Sequence, residues 1–319
     1  MKKVLIARAV FPEVVEALSQ RFDVEHNAED RPWPAPELAR RLAGKAGVMA
    51  TVMDRIDEAV LAHASDLKVV ANIAVGYNNV DVAVCTKRGI RVTNTPGVLD
   101  DTTADLTWAL LMAAARRIAE GDAYVRAGDW KVAFTMQGFL GQDIHHATLG
   151  IIGMGRIGQA VARRARGFDM RVLYYNRSRL RAEEEQACGA SYADREALLA
   201  ESDFVVVMAP YSPATHHLIG AAEIAKMKPT AILVNSARGG IVDDAALVEA
   251  LKSGRIAGAG IDVFEGEPNV HPGYRALRNV VMTPHVGSAS RATRLAMCST
   301  AAANLTAVLE GRDPANPVN

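Results

Sequence analysis

Short apolar runs and amphipathic stretches alternate along the first 95 residues. Residues 4–6, 48–50, 67–73 and 90–93 predict strands, and residues 13–21, 36–43 and 57–64 predict helices. From residue 100 a long helical pattern runs to about residue 117, with acids at its start and arginines at its end, as the helix dipole favours. Further strands are predicted at 148–153, 171–175, 204–208, 231–235, 258–262 and 280–283, separated by helical segments at 159–166, 195–200, 221–227 and 245–253. This is an α/β chain of two doubly wound units, the second the larger. The last helix, 291–309, has no strand of its own to cover and is expected to pack on the first unit. No internal repeat interrupts the pattern. The three prolines of residues 31–36 predict an extended surface loop, with Trp33 a cap on the core.

One strand carries a phosphate-binding fingerprint. The uncharged run 148–153 suits a strand covered on both faces, and it leads into Gly153-Met-Gly155-Arg-Ile-Gly158 and then a helix. Gly153 would permit the tight turn, Gly155 the close approach of a pyrophosphate, and Gly158 the packing of helix on sheet. The helix amides would hold the phosphates. The next strand ends in Asn176-Arg177-Ser178, where an NAD-specific site would place an acid against the ribose 2′-hydroxyl. Arg177 can attract a 2′-phosphate, and Asn176 and Ser178 can donate neutral hydrogen bonds. NADPH is therefore expected over NADH, which stays possible. A solvated polar turn with relaxed choice is the alternative.

Composition fits these units. A chain of 319 residues is long for one core and comfortable for two, and 36 basic residues balance 36 acidic ones, so nothing points to nucleic acid. No apolar stretch reaches the roughly 20 residues of a membrane span, and Arg8, Pro12 and Glu13 interrupt any signal-peptide pattern. Cys85, Cys188 and Cys298 are an odd, scattered set, which fits a reduced cytoplasm.

Three polar groups in the last third stand beside predicted strand ends: Arg238 in NSARGG, Glu267 in DVFEGEP and His285 in TPHVG. Together they supply an anion clamp, a carboxylate and a titratable imidazole, a set suited to reducing a 2-oxo acid. Taken singly, each has a plainer reading: a surface salt bridge, a solvated turn acid and a structural histidine.

These motifs, with residues 75–81 (VGYNNVD), 235–239 (NSARG), 260–268 (GIDVFEGEP) and 284–288 (PHVGS), resemble the D-isomer-specific 2-hydroxyacid dehydrogenases over essentially the whole chain, and within them the glyoxylate/hydroxypyruvate reductases, including 2-ketogluconate reductases. The resemblance implies a flavodoxin-like substrate domain, residues 1–98 and 286–319, with a Rossmann NAD(P)-binding domain inserted at 99–285, and a cleft that closes by hinge motion. It implies NADPH-dependent reduction of glyoxylate, hydroxypyruvate or 2-ketogluconate to the D-2-hydroxy acid. In it Arg238 binds the substrate carboxylate and 2-oxo oxygen, His285 donates the proton, and Glu267 favours the charged imidazole. Val75 and Gly76 would offer backbone amides to the carboxylate. Arg156 and Ile157 would place amides near the pyrophosphate, Asp262 would hold the nicotinamide carboxamide, and Thr103, Pro210, Thr215, Ala237, His285 and Gly287 would border the coenzyme. A homodimer is implied, formed through the long helix and the segment up to about His146.

Rival readings are a phosphoglycerate dehydrogenase, disfavoured because the chain stops just after the last helix, and a coenzyme-sensing corepressor, disfavoured by the catalytic groups. No metal site is expected: the pairs His145-His146 and His216-His217 are neighbours on loops, whose side chains should diverge, with no acid or cysteine to complete a set. Arg163, Arg164 and Arg166 are expected on the wet face of the fingerprint helix.

Overall fold

The computed structural model describes all 319 residues, which form two compact units, 1–99 with 288–319, and 100–287. The expected domain ends at 98 and 285 lie one and two residues short of these.

The first unit begins β1 (Lys3–Ile6), α1 (Pro12–Ser19), β2 (Asp23–His26), α2 (Ala35–Leu42), β3 (Gly47–Ala50), β4 (Val69–Asn72), α3 (Val82–Lys87), β5 (Arg91–Thr93). Its five strands are parallel in the order β2-β1-β3-β4-β5, the flavodoxin-type order. Every residue of β3 and β4 is buried, because helices cover both faces of an inner parallel strand. β2 escapes the hydrophobic pattern. It is the edge strand, and its sequence DVEH needs no apolar run with one neighbour only. The helix expected at 57–64 is just a 3-10 turn, Val60–His63: Asp57 accepts the Val60 amide, and Ile56 is tied to Val80 by an isolated bridge, leaving too little chain for more. The unexpected α3 is capped by Asp81, whose carboxylate accepts the Val84 amide. Trp33 packs on this core under the Arg41 guanidinium, 4.1 Å from its ring centre.

The second unit runs α4 (Asp100–Ala115), α5 (Ile118–Arg126), β6 (Thr148–Ile152), α6 (Arg156–Ala165), β7 (Arg171–Tyr175), α7 (Ala182–Cys188), β8 (Ala190–Tyr192), α8 (Arg195–Glu201), β9 (Phe204–Val207), α9 (Ala221–Ile224), β10 (Ile232–Asn235), α10 (Asp244–Lys252), β11 (Gly258–Ile261), β12 (Val280–Met282). All seven strands are parallel in the order β12-β11-β10-β9-β6-β7-β8. The winding direction reverses between β6 and β9, and open α/β sheets bind ligands beyond the strand ends at such a switch point. α4 lies against α6, β10 and β11, and the Trp108 indole donates to the Val161 carbonyl at 3.0 Å. The arginines of α6 are less free than expected. Arg164 pairs with Asp101 and Asp105 of α4, and Arg166 donates to the carbonyls of Gln186 and Ala187, so only Arg163 is left without an ion pair or hydrogen bond on that face.

The chain then returns to the first unit as α11 (Arg291–Leu309), started by Ser290, whose hydroxyl accepts the Thr293 amide. α11 covers β3, β4 and β5, and a Cβ on Gly47 would stand 3.1 Å from Leu305. No helix is long and apolar enough to cross a membrane.

Candidate active site

The glycine fingerprint has the geometry its spacing implies. Gly153 has φ +103°, and a Cβ there would lie 2.4 Å from the Ala209 nitrogen. A Cβ on Gly158 would strike the Gly153 carbonyl at 2.3 Å, whereas Gly155 has open space before it. Two glycines thus serve packing and the third leaves room for a ligand. Gly155 is also the N-cap of α6 and offers no side chain, so the first amides of the helix, including those of Arg156 and Ile157, remain available to an anion. These residues fit a dinucleotide pyrophosphate.

At the end of β7 the Asn176 side-chain oxygen accepts the Met154 amide at 2.7 Å, tying this strand to the fingerprint turn. Only its amide nitrogen is then free to donate. Arg177 and Ser178 are exposed, and Arg177 has no acidic partner; Arg179 is occupied by Glu185 at 2.8 Å. Pro210 and Thr215 belong to one turn, in which the Thr215 hydroxyl donates to the Pro210 carbonyl at 2.8 Å.

Arg238 follows β10 in a turn shaped by buried Asn235, whose side chain accepts the Ala237 amide and donates to the Arg238 carbonyl. Gly239 is needed because a Cβ would lie 1.8 Å from the Phe264 carbonyl oxygen, so this turn rests directly on the one that follows β11. The guanidinium donates to the Ala237 carbonyl at 2.7 Å and has no carboxylate within ion-pair distance. Part of Arg238 stays exposed, yet its charged end lies deep in the protein. Burial therefore lowers its pKa, with the more distant charge of Glu267 opposing.

In the turn after β11, Glu267 Oε1 accepts the Phe264 amide at 2.8 Å and Oε2 faces His285 Nδ1 at 2.8 Å. Burial raises the pKa of this carboxyl, but the His285 hydrogen bond and charge, the Phe264 amide and the Arg238 charge together outweigh it and hold it below the usual value. Asp244 supports the turn from beneath: one oxygen accepts the Glu265 amide and the other the hydroxyl of fully buried Tyr274.

His285 itself sits at φ +53°, a left-handed conformation uncommon for a side-chain-bearing residue. It is held there because its amide donates to the Asp262 carbonyl. The Asp262 carboxylate accepts from Thr283, Val286 and Gly287, so one buried acid pins the whole segment bearing the histidine. Burial raises the Asp262 pKa despite these bonds. A Cβ on Gly287 would stand 3.4 Å from Thr103, which places Thr103 beside this segment. Arg238, Glu267 and His285, remote in sequence, therefore converge in the second unit; Nε2 of His285 has no protein partner.

In the first unit, Val75 and Gly76 follow β4. Their carbonyls accept from Asn94 and Asn72, while their own amides have no acceptor within the protein. The supporting asparagines, buried Asn72 and Asn235 and half-buried Asn94, were not anticipated, although amides at strand ends are a signal for shaped turns.

One expectation fails. The rings of His216 and His217 do not diverge; they stack at 3.9 Å, and Glu265 lies 3.0 Å from His217, supplying the acid thought absent. Glu265 stands two positions before Glu267 in sequence, and only folding brings it to the histidines.

A family model described as D-isomer specific 2-hydroxyacid dehydrogenase, NAD binding domain, matches residues 108–287. The chain is 48% identical over 320 residues to a glyoxylate reductase of Thermococcus gammatolerans, covering 99% of this chain and 96% of that one. A crystal structure of a Thermus thermophilus protein superposes with a TM-score of 0.92 at 46% identity, covering 99% of this chain and 100% of that one. An NADPH-dependent glyoxylate/hydroxypyruvate reductase from Sinorhizobium meliloti, solved with NADP and malonate, gives 0.89 at 32% identity, covering 99% and 96%.

Proposed function

Because the chain belongs to the D-isomer-specific 2-hydroxyacid dehydrogenase family and is thus an NAD(P)-dependent oxidoreductase, we propose that it reduces a small 2-oxo acid to the D-2-hydroxy acid with NADPH preferred over NADH. Glyoxylate and hydroxypyruvate are the first candidate substrates and 2-ketogluconate the third; the names of the Thermococcus and Sinorhizobium relatives support the first two. The observation that carries this reading is the buried guanidinium of Arg238, without an acid to neutralise it, beside the Glu267–His285 pair. Such a charge is costly in a protein and is repaid when an anion arrives.

In this reading Arg238 holds the substrate carboxylate and polarises the 2-oxo oxygen with its planar fork. A bound nicotinamide supplies a hydride to the substrate carbon. Glu267, hydrogen-bonded to Nδ1, fixes the ring and leaves Nε2 to deliver the proton. Asp262 keeps the His285 segment in place and offers its carboxylate edge to the carboxamide of the coenzyme. In the first unit, the free amides of Val75 and Gly76 are of the kind a carboxylate takes.

Coenzyme oxidation with a panel of 2-oxo acids tests this reading directly. Tight coenzyme binding without turnover of any of them would point instead to a coenzyme sensor. The NADPH preference rests on Arg177, exposed and without an acidic partner at the end of β7. Arg177→Ala is expected to weaken NADPH by roughly 10- to 100-fold, the worth of one charge-assisted hydrogen bond, with little effect on NADH. An equal loss for both coenzymes would exclude the phosphate role.

A homodimer is proposed on the strength of the segment after α4. α5 buries no residue, and Trp130, Phe134, Met136 and Leu140 are 57%, 78%, 80% and 65% exposed, an apolar surface that a second copy would cover. Sedimentation giving the 34.1 kDa mass of one chain would remove it. The cytoplasm is proposed as its compartment, where three buried, unpaired thiols stay reduced.

A further inference from the structure

The stacked histidines form a second site that the reduction does not use. One donor atom each from His216, His217 and Glu265 lies within 4.8 Å of the others. His217 Nε2 is 3.0 Å from Glu265 Oε2, and its Nδ1 is 3.8 Å from Asp243 Oδ2. Tyr211 stands behind the other imidazole, its hydroxyl 3.3 Å from His216 Nδ1.

The backbone beneath these side chains is firmly held. The His217 amide donates to the Gly240 carbonyl, and the Ile219 amide to Ile241, so the histidine loop is laced to the segment just after Arg238. Glu265 is held by its own amide on Asp244, and Asp243 by its carboxylate, which accepts the Ala245 and Ala246 amides at the start of α10. The ligand side chains are accessible: that of His217 is 36% exposed and that of Glu265 45%. With the backbone fixed, only the side chains remain to be ordered when an ion binds.

We propose that His216, His217 and Glu265 bind one divalent transition-metal ion of the zinc class, with water completing a four-coordinate site. Two imidazoles and a carboxylate are a donor set zinc takes and magnesium or calcium, which prefer all-oxygen shells, do not. Asp243, 3.8 Å from the far nitrogen of His217, would orient that imidazole as such carboxylates commonly do, once it closes to hydrogen-bond distance. Tetrahedral bonds of about 2.0–2.1 Å put neighbouring ligand atoms about 3.4 Å apart. A spacing of up to 4.8 Å must then close by at most about 1.4 Å, which exposed side chains can do by small rotations. The ion would join the histidine loop to the turn that carries Glu267.

Calorimetric titration of tag-free protein with zinc chloride tests the site. Wild type and a His145→Ala/His146→Ala control should each bind one equivalent. His216→Ala and Glu265→Gln should bind at least roughly tenfold more weakly. X-ray absorption should find nitrogen and oxygen neighbours at about 2.0–2.1 Å. Absence of stoichiometric binding to wild type would overturn the proposal. So would unchanged binding in both variants, since the zinc would then sit elsewhere, on the Glu267–His285 pair for example. Should His216→Ala fail to fold, Glu265→Gln alone decides, because its side chain ends in solvent.

Discussion

Alanine in place of His285 lowers turnover of the 2-oxo acid by about 100-fold or more, while coenzyme affinity stays within a fewfold of wild type. The reason is the division of labour in the second unit. The imidazole makes no hydrogen bond to a fingerprint residue; its Nδ1 is committed to Glu267, and Nε2 alone has no protein partner. Removing the ring removes the proton donor but leaves Gly153, Gly155 and Gly158 as they were. Stopped-flow turnover and a coenzyme titration on the same preparation measure the two effects, and normal turnover would take His285 out of the mechanism.

The same pair sets an acid dependence. Glu267 has a folded pKa below its ordinary value of 4.5. Its charge therefore stabilises the fold fully above that value, and the contribution is lost as pH falls through the lower, folded one. Comparing denaturation of wild type with Glu267→Gln, the difference should shrink on acidification below about pH 4.5.

For Arg238→Ala, a fall of about 1,000-fold in kcat/KM is expected, about 4 kcal/mol, because the substrate anion loses its only buried cation. Arg238→Lys should restore only part, since an ammonium keeps the charge but not the fork. The stability outcome separates this from a structural role. A guanidinium with no ion-pair partner contributes little to folding and suffers from burial, so Arg238→Ala should melt no lower than wild type. A marked drop in melting temperature with kcat/KM preserved would mean that the residue supports the fold and not the substrate.

Much of this was readable along the chain. Strands buried on both faces, such as β9 and β10, announce themselves as uninterrupted apolar runs, and α11 has the bounds read from the sequence, with Ser290 capping its start. Two of the elements that went unread have the opposite trait. β2 is a polar edge strand, and α5 buries nothing in its own unit, so neither leaves a hydrophobic period to find. The segment 57–64 failed in the other direction: its composition allows a helix, but long-range ties at Ile56 and buried Val60 and Leu61 impose a single 3-10 turn. The His216-His217 pair was misjudged for a similar reason, since whether neighbouring rings diverge depends on backbone angles, and His217 adopts φ +50°.

By itself the sequence determined the alternation of strands and helices, the glycine spacing at the end of β6, and the identity of the polar groups at strand ends, because each is local: a period, a turn or a residue type acting over a few positions. Only the tertiary structure decided which of those groups meet. Parallel strands lying side by side in the sheet carry the turns after β10, β11 and β12 to one end, so residues 238, 267 and 285 converge although the chain separates them by 18 residues or more. The same stacking of turns brought Glu265 to His217. Proximity of this kind follows from strand order and register, which are set by burial over the whole unit and not by any short stretch of chain.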